Sequence, residues 1–407
     1  MRNRHHAVVG ALVAIVVWVA PTAGQGGASP SPSVAPAVSP GASLPAVSPS
    51  TPARRGPHWT AVKDRDVTRS GILGHAVSLG DEVIALAPFS DRHGQSSVRV
   101  LATGDGASWS RRGTIRLTGA VADLLADGTS LFAVGWDQGA TIWRSDDAGA
   151  TWATPADAAS FLGGADGRPG ADDAAQVQAI ARGPAGLVAV GDATDPDTLA
   201  RRAAVWRSTD GLSWERVAEA GALPPFHAIA ADAATYVVVG STIGAPTSPP
   251  GADVSMLRWS TDGLTWTDAT AEIAAMEVVT GVITIPGNGF LAWGSRIDGP
   301  TPLAIVWTST DGRTWQRLPD DPALAGADLV SVRSLEGGAL TMAVGGTPTG
   351  AYAWPWLGTA WRRDAIRVRA GQCISDVASV KAILVAVGGT CTAARPHGRA
   401  WTTPLEP

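Results

Sequence analysis

Short apolar runs recur along most of this chain, each bounded by turn residues and nearly all closing on glycine. They are Leu131 to Gly135, Leu187 to Gly191, Tyr236 to Gly240, Phe290 to Gly294, Leu340 to Gly345 and Ile383 to Gly388, with a looser copy from Val83 to Ala87. Runs this short and this rich in valine read as buried strands. A preceding strand is predicted around Val121 to Leu124, Val177 to Ile180, Phe226 to Ile229 and Ile374 to Val377. A third strand carries an aromatic position of its own, at Trp143, Trp206, Trp307, Trp361 and Trp401. A turn phrase ending in tryptophan then leads into a fourth.

That phrase reads Thr-Gly-Asp-Gly-Ala-Ser-Trp at Thr103 to Trp109, and Ser-Thr-Asp-Gly with a closing tryptophan at Ser208 to Trp214, Ser260 to Trp266 and Ser309 to Trp315. A copy one residue longer runs from Ser145 to Trp152. Self-similarity at this spacing marks a propeller or solenoid, whose units bury their apolar faces against one another. Four short strands per unit, in units at 68–115, 116–160, 174–220, 223–271, 275–320, 327–369 and 371–404, predict an all-β, seven-bladed β-propeller of four-stranded antiparallel blades.

The seventh unit lacks a last strand, and 58–62 (His58-Trp59-Thr60-Ala61-Val62) resembles Thr314 to Leu318, so that segment is expected to pair with the strand at Trp401 and close the ring. Two units break the third-strand pattern, one with Leu101 and one with Arg258 followed by Trp259. Because a one-residue slip reverses the faces of a strand, a bulge or repacking is expected at both. The sixth unit has Arg362-Arg363-Asp364 in place of the phrase.

In each phrase the aspartate can accept backbone N–H bonds within the turn, glycine tolerates positive φ, and the tryptophan can wedge between sheets. Asp105, Asp147, Asp210, Asp262 and Asp311, with Trp109, Trp152, Trp214, Trp266 and Trp315, are therefore assigned structural roles. Spread around a ring, the five carboxylates cannot share one site. Ser145-Asp146-Asp147-Ala148-Gly149-Ala150-Thr151-Trp152 resembles the full Asp-box, or bacterial neuraminidase repeat, and the other four resemble its shorter form. The resemblance implies a sialidase-superfamily-like propeller, here a non-catalytic member. The motif is specific for fold and poor for activity, since the superfamily includes sialidases, xyloglucan-active hydrolases, sortilin-type receptors and a photosystem assembly factor.

Composition sets the surroundings. Arg2, Arg4 and the apolar run from Ala7 to Ala20 read as a signal peptide over 1–23, too short to favour a membrane span. Residues 24–57, nearly all Ser, Pro, Ala and Gly, read as a disordered linker, leaving 58–407 for the propeller. A secreted or cell-envelope protein is expected, with anchoring by an uncleaved signal as the alternative. With a net charge of −5, nucleic acid is not the expected partner. A monomer is expected. Cys373 and Cys391 flank a hairpin of the last blade and would form a disulfide outside the cytoplasm, adding about 3 kcal/mol by a chain-entropy estimate.

Candidate chemistry is sparse. The resemblance to sialidases implies an Arg-Ile-Pro motif, three arginines and a Tyr–Glu pair; the chain has no Arg-Ile-Pro and only two tyrosines, Tyr236 and Tyr352, while Arg201, Arg296 and Arg395 are arginines that could converge. A glycoside hydrolase of that type stays open as the enzymatic alternative, and a propeller-type assembly factor as another. Asp192, Asp195 and Asp197 form one acidic loop and Asp166, Asp172 and Asp173 another; such oxygen clusters can hold Ca2+, although no cofactor is required. His75 and His227 occupy similar first-strand positions and read as repeat architecture. The long connections, 153–175, 192–202 and 241–254, fall on the face opposite the tryptophan turns, together with Trp136, Trp293, Trp354 and Trp356. That face is the expected binding surface for a glycan or protein, with Trp136, Arg296, Trp354 and Trp356 as ligand-binding candidates and Trp293 assigned to the core.

Overall fold

The computed structural model describes residues 58–90, 95–154, 175–194, 201–217, 223–241, 255–274, 276–296, 303–392 and 396–405; the expected leader and linker lie outside them. The described chain opens with β1 (Thr60–Ala61) and α1 (Arg65–Arg69). Blade one is β2 (His75–Leu79), β3 (Glu82–Ser90), β4 (Ser96–Thr103) and β5 (Ser110–Arg116), and blade two is β6 (Ala120–Asp127), β7 (Ser130–Trp136) and β8 (Ala140–Ser145). Blade three is β9 (Gln176–Gly183), β10 (Gly186–Thr194), β11 (Arg201–Ser208) and β12 (Glu215–Arg216), and blade four is β13 (Phe226–Ala231), β14 (Tyr236–Ser241), β15 (Ser255–Ser260) and β16 (Thr267–Asp268). Blade five gathers β17 (Thr270–Ala271), β18 (Glu277–Ile285), β19 (Gly289–Arg296), β20 (Leu303–Ser309) and β21 (Thr314–Arg317). Blade six is β22 (Asp328–Leu335), β23 (Leu340–Thr347), β24 (Gly350–Trp356) and β25 (Asp364–Ile366), and blade seven is β26 (Gln372–Val380), β27 (Ile383–Thr390) and β28 (Gly398–Pro404). The first strand of every blade touches that of the next, and β26 touches β2, so the seven sheets form a closed seven-bladed propeller.

Closure follows the expected register. Thr60 pairs with Thr402 and Ala61 with Trp401, as Gln316 pairs with Thr308 and Arg317 with Trp307 in blade five, and the Val62 N–H donates to the Ala400 carbonyl at 2.9 Å. Two blades depart from four strands. Blade two has only an isolated bridge between Arg144 and Ala153 beyond its third strand, and blade five gains β17, which runs parallel to β21 along its outer edge.

The glycine that ends each apolar run has a specific cause. In six blades the first strand carries a β-bulge, at Ala122, Gln178, His227, Thr280, Val330 and Ser375, directly across from the end of the second-strand run. The bulge pushes a carbonyl into the neighbouring strand. A Cβ on Gly135 would lie 2.0 Å from the Ala120 oxygen, and one on Gly294 only 1.8 Å from that of Val278. Blade one has Ala87 at this position, and its β2–β3 ladder is regular. The looser seventh run thus reflects the one inner strand without a bulge.

Third-strand positions correct the sequence reading in one place. Trp143, Trp206, Trp307 and Trp401 each pair with an alanine of the second strand, and in blade six the residue so placed is Trp354, opposite Ala343, not Trp361. Trp361 instead follows the turn after β24, so it is that blade's turn tryptophan, reached through a turn without aspartate. At Arg258 the structure takes the repacking alternative. The β14–β15 ladder is regular there, with no bulge; Arg258 is held by Asp268 at 2.7 Å and donates to the Trp266 carbonyl, while Arg313 lies 4.2 Å over the Trp259 ring. At Leu101 the expected irregularity is present, between β4 and β5.

Seven apolar layers fill the spaces between neighbouring sheets, and each receives the turn tryptophan of one blade against the sheet of the blade before it. Trp109 shares a layer with Val385 of blade seven, Trp152 with blade one, Trp214 with Phe132, Trp266 with Val188, Trp315 with Val237, Trp361 with Leu291 and Trp59 with Met342. The turn itself is a cage around one carboxylate oxygen: Asp311 Oδ1 accepts from the Arg313 and Thr314 N–H groups at 2.8 and 3.0 Å and from Ser309 Oγ at 3.1 Å. Asp105, Asp210 and Asp262 repeat the pattern, and in the longer turn the Thr151 hydroxyl bond holds Asp147 down at about 2. Gly211 has φ +73°, and a Cβ on it would meet Phe132 Cζ at 2.6 Å, so both the turn and the wedge require glycine.

Truncating Trp315, which is 4% exposed, is expected to cost about 3–5 kcal/mol. Asp311→Ala should cost about 0.5–1.5 kcal/mol per net hydrogen bond lost. Chemical denaturation of the two variants checks this; equal losses would mean that the indole is not the principal spacer.

Candidate functional site

Several inner-strand polar residues share one register level, just after the bulge in those blades that have one. His75, Asp123, Ser331 and Asp376 occupy one ring level in blades one, two, six and seven, where blades three, four and five have Ala179, Ala228 and Gly281. Each polar side chain reaches the following blade. Asp376 is buried and accepts from Ser331 Oγ at 2.7 Å, Arg333 Nε at 2.9 Å, Arg333 Nη2 at 2.7 Å, the Ala76 N–H at 2.9 Å and its neighbour Val377 N–H at 2.9 Å. Asp123 accepts from the Ile180 N–H at 3.2 Å and from that of Leu124 at 2.8 Å. His227 meets the Val279 carbonyl of blade five at 3.2 Å, and His75 bonds that of Val121 in blade two, so the two histidines do play parallel parts.

The electrostatics of this arc follow from its setting. Burial pushes the Asp376 carboxyl upward, but the Arg333 guanidinium and the surrounding donors outweigh it and hold the group below the usual carboxylate range. Arg333 loses some basicity to desolvation and regains more from Asp376, ending above its ordinary value. Desolvation by the surrounding protein lowers His75, against the pull of Asp123 and Asp376 and with that of Arg333, and it lowers His227 likewise. Every oxygen of Asp376 is occupied, which makes this arc a clasp between blades.

Because both histidines are held neutral, the unfolded chain takes up protons first as pH falls through about 6.5. Their contribution is complete above that pH and is lost on going below it, towards the lowered folded values. The melting temperature is expected to fall between pH 7.5 and 5.5, and His75→Gln with His227→Gln should flatten that slope. An unchanged slope in the double variant would assign the acid sensitivity elsewhere.

The expected ligand residues do not come together. Trp136 ends β7 and Arg296 ends β19, both half-buried on the insertion face but three blades apart; Arg296 lies 4.0 Å from Asp320. Trp354 is fully buried, its Nε1 donating to the Ala323 carbonyl at 2.9 Å, so it presents no ring to solvent. Trp356 ends the third strand of blade six and therefore belongs to the tryptophan-turn face, with its ring 5.1 Å from that of Trp361. Trp293 is buried, as assigned, and its ring fills the space over Gly281.

Asp192 is buried and ion-paired with Arg201 at 2.7 Å, so its charge is already neutralised by a guanidinium; Asp195, Asp197, Asp166, Asp172, Asp173 and Arg395 lie outside the described residues. Tyr236 is buried with its hydroxyl donating to the Gly186 carbonyl at 2.8 Å and accepting from the Ala185 N–H at 3.0 Å. Tyr352 bonds Thr349 and lies under Arg363. Neither tyrosine has a carboxylate partner among the described residues. Cys373 and Cys391 are joined as a disulfide, Cα atoms 5.9 Å apart, where β26 begins and β27 has ended. Among the described residues, no helix is long and apolar enough to cross a membrane.

No protein-family profile matches the chain, and no curated protein matches it in sequence. Solved structures match in shape. An acylaminoacyl peptidase of Pyrococcus horikoshii is similar at 12% identity and a TM-score of 0.51 over 84% of this chain, which spans only 53% of that enzyme. YCF48 bound to a D1 peptide is similar at 13% identity and a TM-score of 0.52, over 87% of this chain and 98% of that one. An endosialidase of phage phi92 is similar at 11% identity and a TM-score of 0.46 over 86% of this chain and 69% of that one, too loosely to carry weight. At these identities, what this chain shares with its structural neighbours is the β-propeller fold.

Proposed function

We propose that this chain is an extracytoplasmic, non-catalytic propeller of the Asp-box type, which binds a protein or glycan partner on its insertion face. The observation that carries the reading is a division of labour between the two faces. On the turn face, the aspartates of the repeated phrase spend their acceptors on backbone N–H groups, and the Tyr236 hydroxyl is satisfied close by. On the other face, second-to-third-strand and blade-to-blade connections differ widely in length, from the two residues between β23 and β24 to the long stretch between β8 and β9. Variation confined to one face of a rigid scaffold is how repeat proteins build binding surfaces. The similar propeller YCF48 has been captured with a peptide, which favours a polypeptide partner over a glycan.

A photo-crosslinking amino acid placed at Trp136, on the insertion face, should yield adducts when the full chain meets extracts of surface proteins. The same group at Leu212, which is 57% exposed on the turn face, should yield none. Adducts only from Leu212 would reverse the assignment of faces, and turnover of a fluorogenic sialoside panel by the purified chain would replace the binding reading with a hydrolytic one.

A further inference from the structure

Outside the faces of the propeller, the outer rim of blade one gathers positive charge in a chain whose net charge is −5. Lys63, Arg65 and Arg69 lie on α1 and its approach, and all three are exposed. Arg99 of β4 ties the helix to the sheet by donating from Nη1 to the Arg69 carbonyl at 2.7 Å, with its guanidinium 3.5 Å over the Phe89 ring. Across the β4–β5 ladder, Arg99 pairs with Thr114 and Ser97 with Arg116, and Arg111 Nη2 donates to the same Thr114 hydroxyl at 2.6 Å. Arg111 and Arg116 are exposed.

The neighbouring acids do not neutralise this group. The Asp64 carboxylate caps α1, accepting from the Asp66 and Val67 N–H groups, and also takes the Trp109 N–H; Glu82 is paired with Arg112. Asp66 alone faces Arg99 with opposite charge, and desolvation together with the like charge of Arg111 leaves the Arg99 guanidinium below its ordinary basicity. Among the described residues, no carboxylate stands within ion-pair distance of Arg65, Arg69, Arg99, Arg111 or Arg116, whereas most arginines of the other blades' ladders have one.

We propose that this rim binds a carboxylated polysaccharide, with Arg99, Arg111 and Arg116 as its contacts on the sheet and Arg65 and Arg69 as those on the helix. Guanidinium groups take carboxylates two-pronged, and a row of them along one ladder suits a polymer with a carboxylate on each repeating unit. Two other polyanions fit less well. An acidic bilayer is disfavoured because, among the described residues, blade one exposes no large apolar side chain for insertion; the exposed ones, Leu212, Met276, Val330 and Leu357, belong to other blades. Single-stranded nucleic acid needs open aromatic faces for its bases, and the Phe89 ring is already covered by Arg99.

Binding of the full chain to polygalacturonate, with neutral dextran as the control, tests the inference by calorimetry or an immobilised-polymer assay. The wild type should bind polygalacturonate, not dextran, and lose affinity as salt rises. Arg99→Ser with Arg111→Ser and Arg116→Ser should weaken binding at least about tenfold, the scale of one lost charge-assisted contact. Since Arg99 also braces α1, a second variant with Arg65→Ser, Arg111→Ser and Arg116→Ser keeps that brace and should show the same loss with an unchanged melting temperature. Arg367→Ser with Arg369→Ser, remote from the rim, should leave affinity unchanged. No binding to polygalacturonate, undiminished binding by the second variant, or tighter binding to phosphatidylglycerol vesicles or to an oligonucleotide would overturn it.

Discussion

A chain that begins at Lys63 is expected to lose its cooperative melt and to aggregate, whereas one that begins at Gly56 keeps both stability and solubility. The seven residues that separate the two include β1, the strand that pairs with the outer edge of β28. Without them, Trp401 and Thr402 keep their β27 neighbours but lose their ladder partners on the outer side, and the Val62 bond to Ala400 goes as well. Trp59, 6% exposed, leaves the layer it shares with Leu335, Met342 and Val344 of blade six, and Val62 leaves the layer between blades seven and one. Removing the indole alone should cost about 3–5 kcal/mol. A total stability of about 5–15 kcal/mol leaves little after that loss, and the bared strand is a template for pairing with another chain. Thermal melts followed by circular dichroism and light scattering compare the two chains; superimposable melts would show that the ring holds without its closing strand.

Closure was legible because the orphan strand repeats a local pattern, and a repeat can be aligned to itself. The blade count, the tryptophan wedges and the strand order were readable for the same reason. The glycine after each apolar run was visible too, but its cause was not, since the bulge that requires it belongs to a different strand. Trp361 was misplaced because blade six shortens its turn and drops the aspartate, leaving two tryptophans, Trp354 and Trp361, to compete for one register position. Arg258 breaks the pattern without a bulge because Asp268, ten residues on, supplies a partner that keeps the ladder regular. The binding candidates fared differently. An aromatic outside the repeat looked free to meet a ligand, yet Trp354 was in register all along, and the direction of β24 put Trp356 on the other face. The rim arginines passed unnoticed because they are scattered from 65 to 116 and only the β4–β5 ladder and α1 assemble them.

The clasp around Asp376 shows what a repeat pattern cannot reveal, and it supplies the other large expected effect. Its partners stand 43 residues before it, at Arg333, and 300 before it, at Ala76, so no local window contains them. Asp376→Ala is expected to cost about 3–5 kcal/mol, because it strands a half-buried guanidinium and leaves the Ala76 N–H and Ser331 hydroxyl without their acceptor. Arg333→Met should be comparably harmful alone, by leaving the carboxylate buried without its counter-charge. Combining the two removes both charges together, so the double variant should lose less than the sum of the single losses, by about 0.5–3 kcal/mol for groups in direct contact. Recovery should remain incomplete, since blade one still lacks the acceptor that Asp376 provides to its first strand. Acid should reproduce part of the effect: with its folded value depressed, Asp376 stabilises the ring above the unfolded carboxylate range near pH 3.8, and that contribution is lost as pH falls through the lower folded value. Urea titrations of the four proteins at neutral pH measure the coupling. Strict additivity would mean that Arg333 and Asp376 act independently, and that blades six, seven and one are joined by their apolar layers alone.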